Sequence, residues 1–138
     1  MSKATIATFL LALLPLAVSA QQACPQLPPD SGLQWDVQPG NGFRVCRAVD
    51  PEGRQVFGVM LTSKPTLNPR RRNREEEAVI AGREVHWYRP EVATAAGGER
   101  RVTVVELDDD YYAQIWIDAP DRLQLRQAMN VAEHLAFR

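Results

Sequence analysis

Serine, histidine and cysteine are all scarce in this chain, and each shortage closes off a class of chemistry. Beyond the first twenty residues only Ser31 and Ser63 offer a serine hydroxyl, in the stretches "PDSG" and "TSKP". Neither stands in the Gly-x-Ser-x-Gly setting that exposes a nucleophile at a strand-to-helix turn, so a serine hydrolase is not expected. The two histidines, His86 and His134, sit far apart, and a shared zinc site would need carboxylates such as Glu84 or Glu133 beside them. Two cysteines, Cys24 and Cys46, are too few and too widely spaced for a CxxC redox centre or a multi-cysteine zinc site. No metal and no cofactor are predicted.

Long hydrophobic runs are also lacking, with one exception. Residues 1–20 place Lys3 ahead of an apolar stretch from Ile6 to Val18 and end on Val18-Ser19-Ala20, the pattern of a secretory leader cleaved after Ala20. The stretch is short for a bilayer span, so no transmembrane segment is expected once the leader is gone. Gln21 and Gln22 stand where a lipoprotein signal would carry small or apolar residues, which disfavours lipidation of Cys24. Export is therefore expected, to the periplasm or, as the alternative, out of the cell. In an oxidising compartment Cys24 and Cys46 are predicted to form one disulfide. A covalent loop of this length contributes roughly 3 kcal/mol.

Charge of one sign does not dominate. The leader removes only Lys3 from 16 basic and 17 acidic residues, leaving 15 against 17, a net charge of −2. Nucleic-acid binding draws most of its affinity from phosphate neutralisation, so no nucleic-acid partner is expected. The organisation that follows is a leader at 1–20, a Pro-rich segment at 21–32 tied by the disulfide, and a single domain at 33–138.

Within that domain the pattern is mostly strand. "LQWDV" is a short candidate, and "GFRVCRAVD" follows the turn Pro39-Gly40-Asn41-Gly42, with Phe43, Val45, Arg47 and Val49 on one face. The turn Asp50-Pro51-Glu52-Gly53 leads into "QVFGVMLTSK" as a hairpin. "VIAGREVHWYRPEV" and "ERRVTVVELD" come next, and Asp108-Asp109-Asp110 reverses the chain into "YYAQIWID". That acidic turn lacks the alternating ligands and glycine of a calcium loop. Along the last strand Tyr111, Ala113, Ile115 and Ile117 share one face, and Tyr112, Gln114, Trp116 and Asp118 share the other.

The period changes after "DAPD". Leu125, Ala128, Met129, Ala132, Leu135 and Ala136 recur at helical spacing behind a cap-type acid and a proline. The prediction is an α+β fold, mainly an antiparallel sheet of five to six strands with the C-terminal helix across one face. The closing strand-turn-helix is loosely similar to that of PsbP-like α/β/α sandwiches of cell envelopes and thylakoids. That resemblance covers only the end of the chain, and it implies an alternative architecture with helices on both faces.

Two places stand out as candidate sites. The first is "NPRRRNREEE", where Arg70, Arg71, Arg72 and Arg74 precede Glu75, Glu76 and Glu77 inside a predicted loop from Thr62 to Glu77. Long loops in compact domains tend to be functional or disordered. Such arginines suit phosphate, a lipid headgroup or an acidic surface, whereas the adjacent glutamates would make the loop neutralise itself. The second is aromatic: Trp87, Tyr88, Tyr112 and Trp116 fall on strands that can be neighbours, and Tyr88, Tyr112 and Trp116 form a candidate binding face. The expectation is a small exported, non-catalytic domain that binds a protein or envelope component. Its alternatives are an enzyme built on His86 with Glu84, Tyr88 or Asp118, and a structural homodimer closed by the face carrying Tyr112 and Trp116.

Overall fold

Seven strands, β1 (Gln34–Pro39), β2 (Phe43–Val49), β3 (Gln55–Thr62), β4 (Arg74–Ile80), β5 (Arg83–Tyr88), β6 (Glu99–Asp108) and β7 (Tyr111–Ala119), precede one helix, α1 (Arg122–Glu133). The computed structural model describes residues 23–91 and 98–137, with positions 8 and 12, so the leader assigned to 1–20 lies almost wholly outside the described residues. All strand pairs are antiparallel and form one sheet in the order β1-β2-β3-β7-β6-β5-β4. Two meanders are thus joined by a crossover. β1 to β3 run inward from one edge to the middle of the sheet, the chain jumps to the far edge, and β4 to β7 return until β7 lies against β3.

The α+β architecture with a C-terminal helix on one face is the one expected, with more strands than five or six. The extra strand comes from a segment assigned to a loop. Residues 74–77, the end of the predicted loop, are strand and open β4, and "VIAGREVHWY" is not one strand but parts of two, folded at Ala81-Gly82. Among the described residues α1 is the single helical layer, so the α/β/α alternative is not what forms. A second helical layer would have to cover the opposite face, which the crossover partly occupies instead.

α1 packs over β7 and reaches β3, β4 and β6. It buries Leu125, Ala128, Met129 and Ala132, the stripe that the spacing predicts. Its N-cap is Asp121, whose carboxylate accepts from the Gln124 N–H at 2.8 Å; Pro120 therefore precedes the cap rather than occupying the first turn. Leu135 and Ala136 lie beyond the helix, which ends at Glu133.

The helix-facing side of the sheet is apolar in register. Cys46 pairs with Val59, Val59 with Ile115, and Ile115 with Thr103, so one row crosses four strands and points inward. Phe57, Leu61, Ile80, Trp87, Val105, Ala113 and Ile117 complete this core. Each fully buried aliphatic or aromatic side chain contributes about 1.5–3 kcal/mol. In β2 the inward residues are Cys46 and Ala48, which leaves the Phe43, Val45, Arg47 and Val49 face turned outward.

A single helix is too narrow to cover seven strands. Over β1 and β2 the chain ends replace it: Leu27, Leu33 and Phe137 pack on the core, and Gln26 bridges Ala136 through paired backbone bonds of 2.9 and 3.1 Å. The Cys24–Cys46 disulfide fixes this cover to β2. Trp35 Nε1 donates to the Pro25 carbonyl at 2.7 Å and adds a second tie.

The β4–β5 turn carries a local cost. Ala81 and Gly82 have φ of 53° and 74° between Ile80 and its partner Arg83, the geometry of a type I′ turn. That turn favours Asn-Gly, because an alanine side chain crowds its own carbonyl there. Ala81→Asn is expected to raise unfolding free energy by about 1 kcal/mol. Chemical denaturation would show it as a higher midpoint at unchanged slope, and an unaltered or lowered midpoint would contradict the assignment of strain to this turn.

Candidate functional site

The helix-free face is built by strand alternation. β5, β6 and β7 project Tyr88, Val102 and Trp116 onto it as one row, since Tyr88 pairs with Val102 and Val102 with Trp116. The row continues to Gly58 on β3 and Arg47 on β2. Gly58 is required for this arrangement, because a Cβ there would lie 2.1 Å from Trp116 Cζ2. The indole lies over bare backbone and remains half-buried. Tyr112 stands on the same face, opposite Thr62 and Glu106. Tyr88, Tyr112 and Trp116 are therefore all placed on one side of the sheet, each partly exposed.

Trp87 belongs to the other side. It is buried in the core, and its Nε1 donates to Glu133 Oε1 of α1 at 2.9 Å. Alternation alone separates it from Tyr88.

Gln114 sits between Tyr112 and Trp116 and is nearly inaccessible. Its Oε1 accepts the backbone N–H groups of Thr66 and Leu67, the latter at 2.7 Å. The crossover from β3 to β4 is thus pinned across the middle of the helix-free face. A lone glutamine among apolar strand residues was the sequence signal for this role, though its partners lie 47 and 48 positions away.

The arginine segment does not remain a loop of four free cations. Residues Arg71–Asn73 form one 3-10 turn and Arg74 opens β4. Arg70 and Arg72 both face Glu91, at 3.4 and 2.7 Å. The Arg72 hydrogen bond, with the charge of both arginines, holds the Glu91 carboxyl below its ordinary range. A bulge between Arg74 and Glu77 interrupts strand alternation, and the three glutamates find partners outside the segment: Glu75 pairs with Arg89, Glu76 with Arg101, and Glu77 lies 3.5 Å from His86. The direct ion-pair partners of these glutamates thus all come from outside the run.

Glu76 and Arg101 form the most buried of these pairs. Arg101 is 5% exposed, and it donates from Nε to Glu76 Oε1 at 2.6 Å and from Nη1 to the Arg100 carbonyl at 2.8 Å. Burial pushes the Glu76 carboxyl up, but the Arg101 hydrogen bonds, its own backbone N–H and the charges of Arg101 and Arg122 outweigh this and set it below 4.5. Together with Arg74, Glu75, Arg122, Leu125 and Arg126 the pair lines a cleft of about 420 Å³ beside the start of α1. Sequence reasoning assigned no role to Arg101, Arg122 or Arg126. A cation inside the strand "ERRVTVV" and two arginines in the first turns of a helix were the available signals.

The remaining candidates are dispersed. Asp118 pairs with Arg100 at 3.2 Å. His86 stacks edge-on to Tyr88 with ring centres 6.4 Å apart; its nearest carboxylate is Glu77 from the neighbouring strand, not Glu84. Ser31 Oγ accepts from the Leu33 N–H at 3.3 Å, and His134 Nδ1 lies 2.6 Å from the Asn130 carbonyl. Among the described residues no group of three or more His, Cys, Asp or Glu is arranged to hold a metal ion. None of their helices is long and apolar enough to cross a membrane. An apolar cavity of about 530 Å³ lies under the joined chain ends, lined by Leu27, Trp35, Leu61, Leu107, Tyr111 and Phe137.

No family model, no curated protein and no solved structure matches this chain, so its sites are read from their own chemistry.

Two expectations follow. Gln114→Ala leaves the Thr66 and Leu67 N–H groups without their acceptor, at a cost of about 1–3 kcal/mol each if they stay buried. The variant should lose stability and become cleavable by trypsin after Arg70 and Arg71. Wild-type resistance at those bonds would remove Gln114 as the anchor. For Glu76 the folded carboxyl titrates below its unfolded value of 4.5, so its stabilisation is complete above that pH and is lost as pH falls through the folded value. Glu76→Gln should therefore flatten the acid limb of the stability curve below pH 4.5. An acid limb identical to wild type would show that the pair carries no such linkage.

Proposed function

We propose that this chain is an exported, periplasmic, non-catalytic binding domain that contacts a protein or another envelope component through the helix-free face of its sheet. The observation that carries the reading is the row Tyr88–Val102–Trp116, flanked by Tyr112. These aromatic and aliphatic side chains are half-exposed and held by paired backbone, while the apolar helix side of the same sheet is sealed. Rigid aromatics bury large area at little entropic cost, which suits them to a contact surface. Trp116 is further fixed by its seat on Gly58. The Cys24–Cys46 disulfide supports export, since such bonds persist in oxidising compartments.

The test is a photo-reactive amino acid placed at Tyr88 or, as the control, at Leu123, which is exposed on α1. Irradiation of the cells that make the protein should give one discrete adduct from position 88 and none from 123. An adduct at twice the chain mass would assign the face to a homodimer. Equal labelling from both positions, or none from 88, would defeat the proposal.

A further inference from the structure

We propose that the cleft between α1 and the β4–β6 side of the sheet binds a phosphate-type oxyanion, gripped by Arg74, Arg122 and Arg126 above the fixed guanidinium of Arg101. The cleft lies on the helix side of the sheet, so this inference is independent of the partner proposed for the opposite face.

The charge at this place is unbalanced. Four arginines and two glutamates line the cleft, and both glutamates already have partners, Glu75 in Arg89 and Glu76 in Arg101. Among the described residues Arg74, Arg122 and Arg126 have no carboxylate within ion-pair distance. The other nearby acids are occupied: Glu99 reaches Arg101 at 3.7 Å, and Asp121 caps the helix through Gln124.

The placement is also unfavourable for the helix itself. Arg122 and Arg126 are like charges four residues apart, and both lie in the opening turns, where the helix dipole opposes cations. Glu76 offers Arg122 its charge, but the oxygens of that carboxylate are already engaged by Arg101. An oxyanion between them and Arg74 would relieve both penalties at once, because a tetrahedral phosphate offers several acceptors to converging guanidinium forks.

Arg101 supplies the rigid floor. It is buried and held by Glu76 Oε1 and Oε2 and the Arg100 carbonyl at 2.6, 3.2 and 2.8 Å. Within the same segment Arg70 and Arg72 are satisfied by Glu91, whereas Arg74, two residues on, lies at the edge of the cleft without such a carboxylate. The volume, about 420 Å³, leaves room for a phosphate group and part of whatever bears it. Free phosphate and a phospholipid headgroup share this chemistry.

The experiment titrates the full chain with inorganic phosphate by calorimetry and thermal unfolding, against chloride at matched ionic strength. Phosphate should bind and raise the melting temperature where chloride does not, and Arg122→Gln with Arg126→Gln should weaken binding about tenfold or more. Arg70→Gln with Arg72→Gln should leave it unchanged. In phosphate-free buffer the Arg122/Arg126 variant should be at least as stable as wild type, because the repulsion is gone; if it unfolds instead, Arg74→Gln alone provides the affinity comparison. Co-sedimentation with phosphatidylcholine vesicles containing phosphatidylglycerol, lost in the same variant, would identify a headgroup as the source, and phosphate binding without sedimentation a soluble one. Equal effects of chloride, undiminished binding in the variants, or no binding of either probe overturns the proposal.

Discussion

Everything in this fold depends on the pairing of β3 with β7. Gly58 to Thr62 align with Trp116 to Tyr112 across 50 to 58 positions of chain, and this seam alone joins the two meanders into one sheet. The core sits directly over it: Val59 and Leu61 meet Ile115 and Ala113, and α1 lies above. On the other side of the same seam Gly58 gives Trp116 its seat, and Gln114 holds the crossover. Sheet continuity, core and the aromatic face are thus set by one non-local ladder.

The two faces solve different problems. The inner face is apolar and needs complete cover, which neither the helix nor the chain ends supply alone. α1 covers the β7 side, while the disulfide, the Trp35 bond to Pro25 and the Gln26–Ala136 bridge hold the terminal segments over β1 and β2. The outer face is crossed by a short polar strap and otherwise retains half-exposed aromatics. The arginine cleft lies at the corner where the helical cover begins, and its charge is a property of the junction between β4, β6 and α1.

Much of the fold was legible because it is locally encoded. The stripe Leu125, Ala128, Met129 and Ala132 has one period, the acidic and Pro-Gly turns mark two hairpins, and two cysteines leave one pairing. β4 was not legible for two reasons. Its charged residues are those that protect an edge strand from association, so they lower its apparent strand character. Its turn carries Ala81, a residue that the type I′ geometry disfavours, so the boundary with β5 left no signal. The candidate sites were less visible still. Tyr88, Tyr112 and Trp116 could be set on one face by alternation within strands, but their order across the sheet depends on the crossover. Arg101, Arg122 and Arg126 come together only through tertiary packing.

The position of β7 also imposes a schedule on assembly. A chain made from its N-terminus can close Cys24 on Cys46 and fold the β1–β3 meander early, yet Val59 and Leu61 then face water beside an unpaired central strand. Their cover arrives only with β7 and α1, more than fifty positions later in the chain, and the Gln26–Ala136 bridge is later again. Topologies of this non-local kind fold slowly, and an open β3 edge is adhesive in the interval. The early covalent bond shortens the search for these later segments, since it holds one half of their docking surface in place before they emerge.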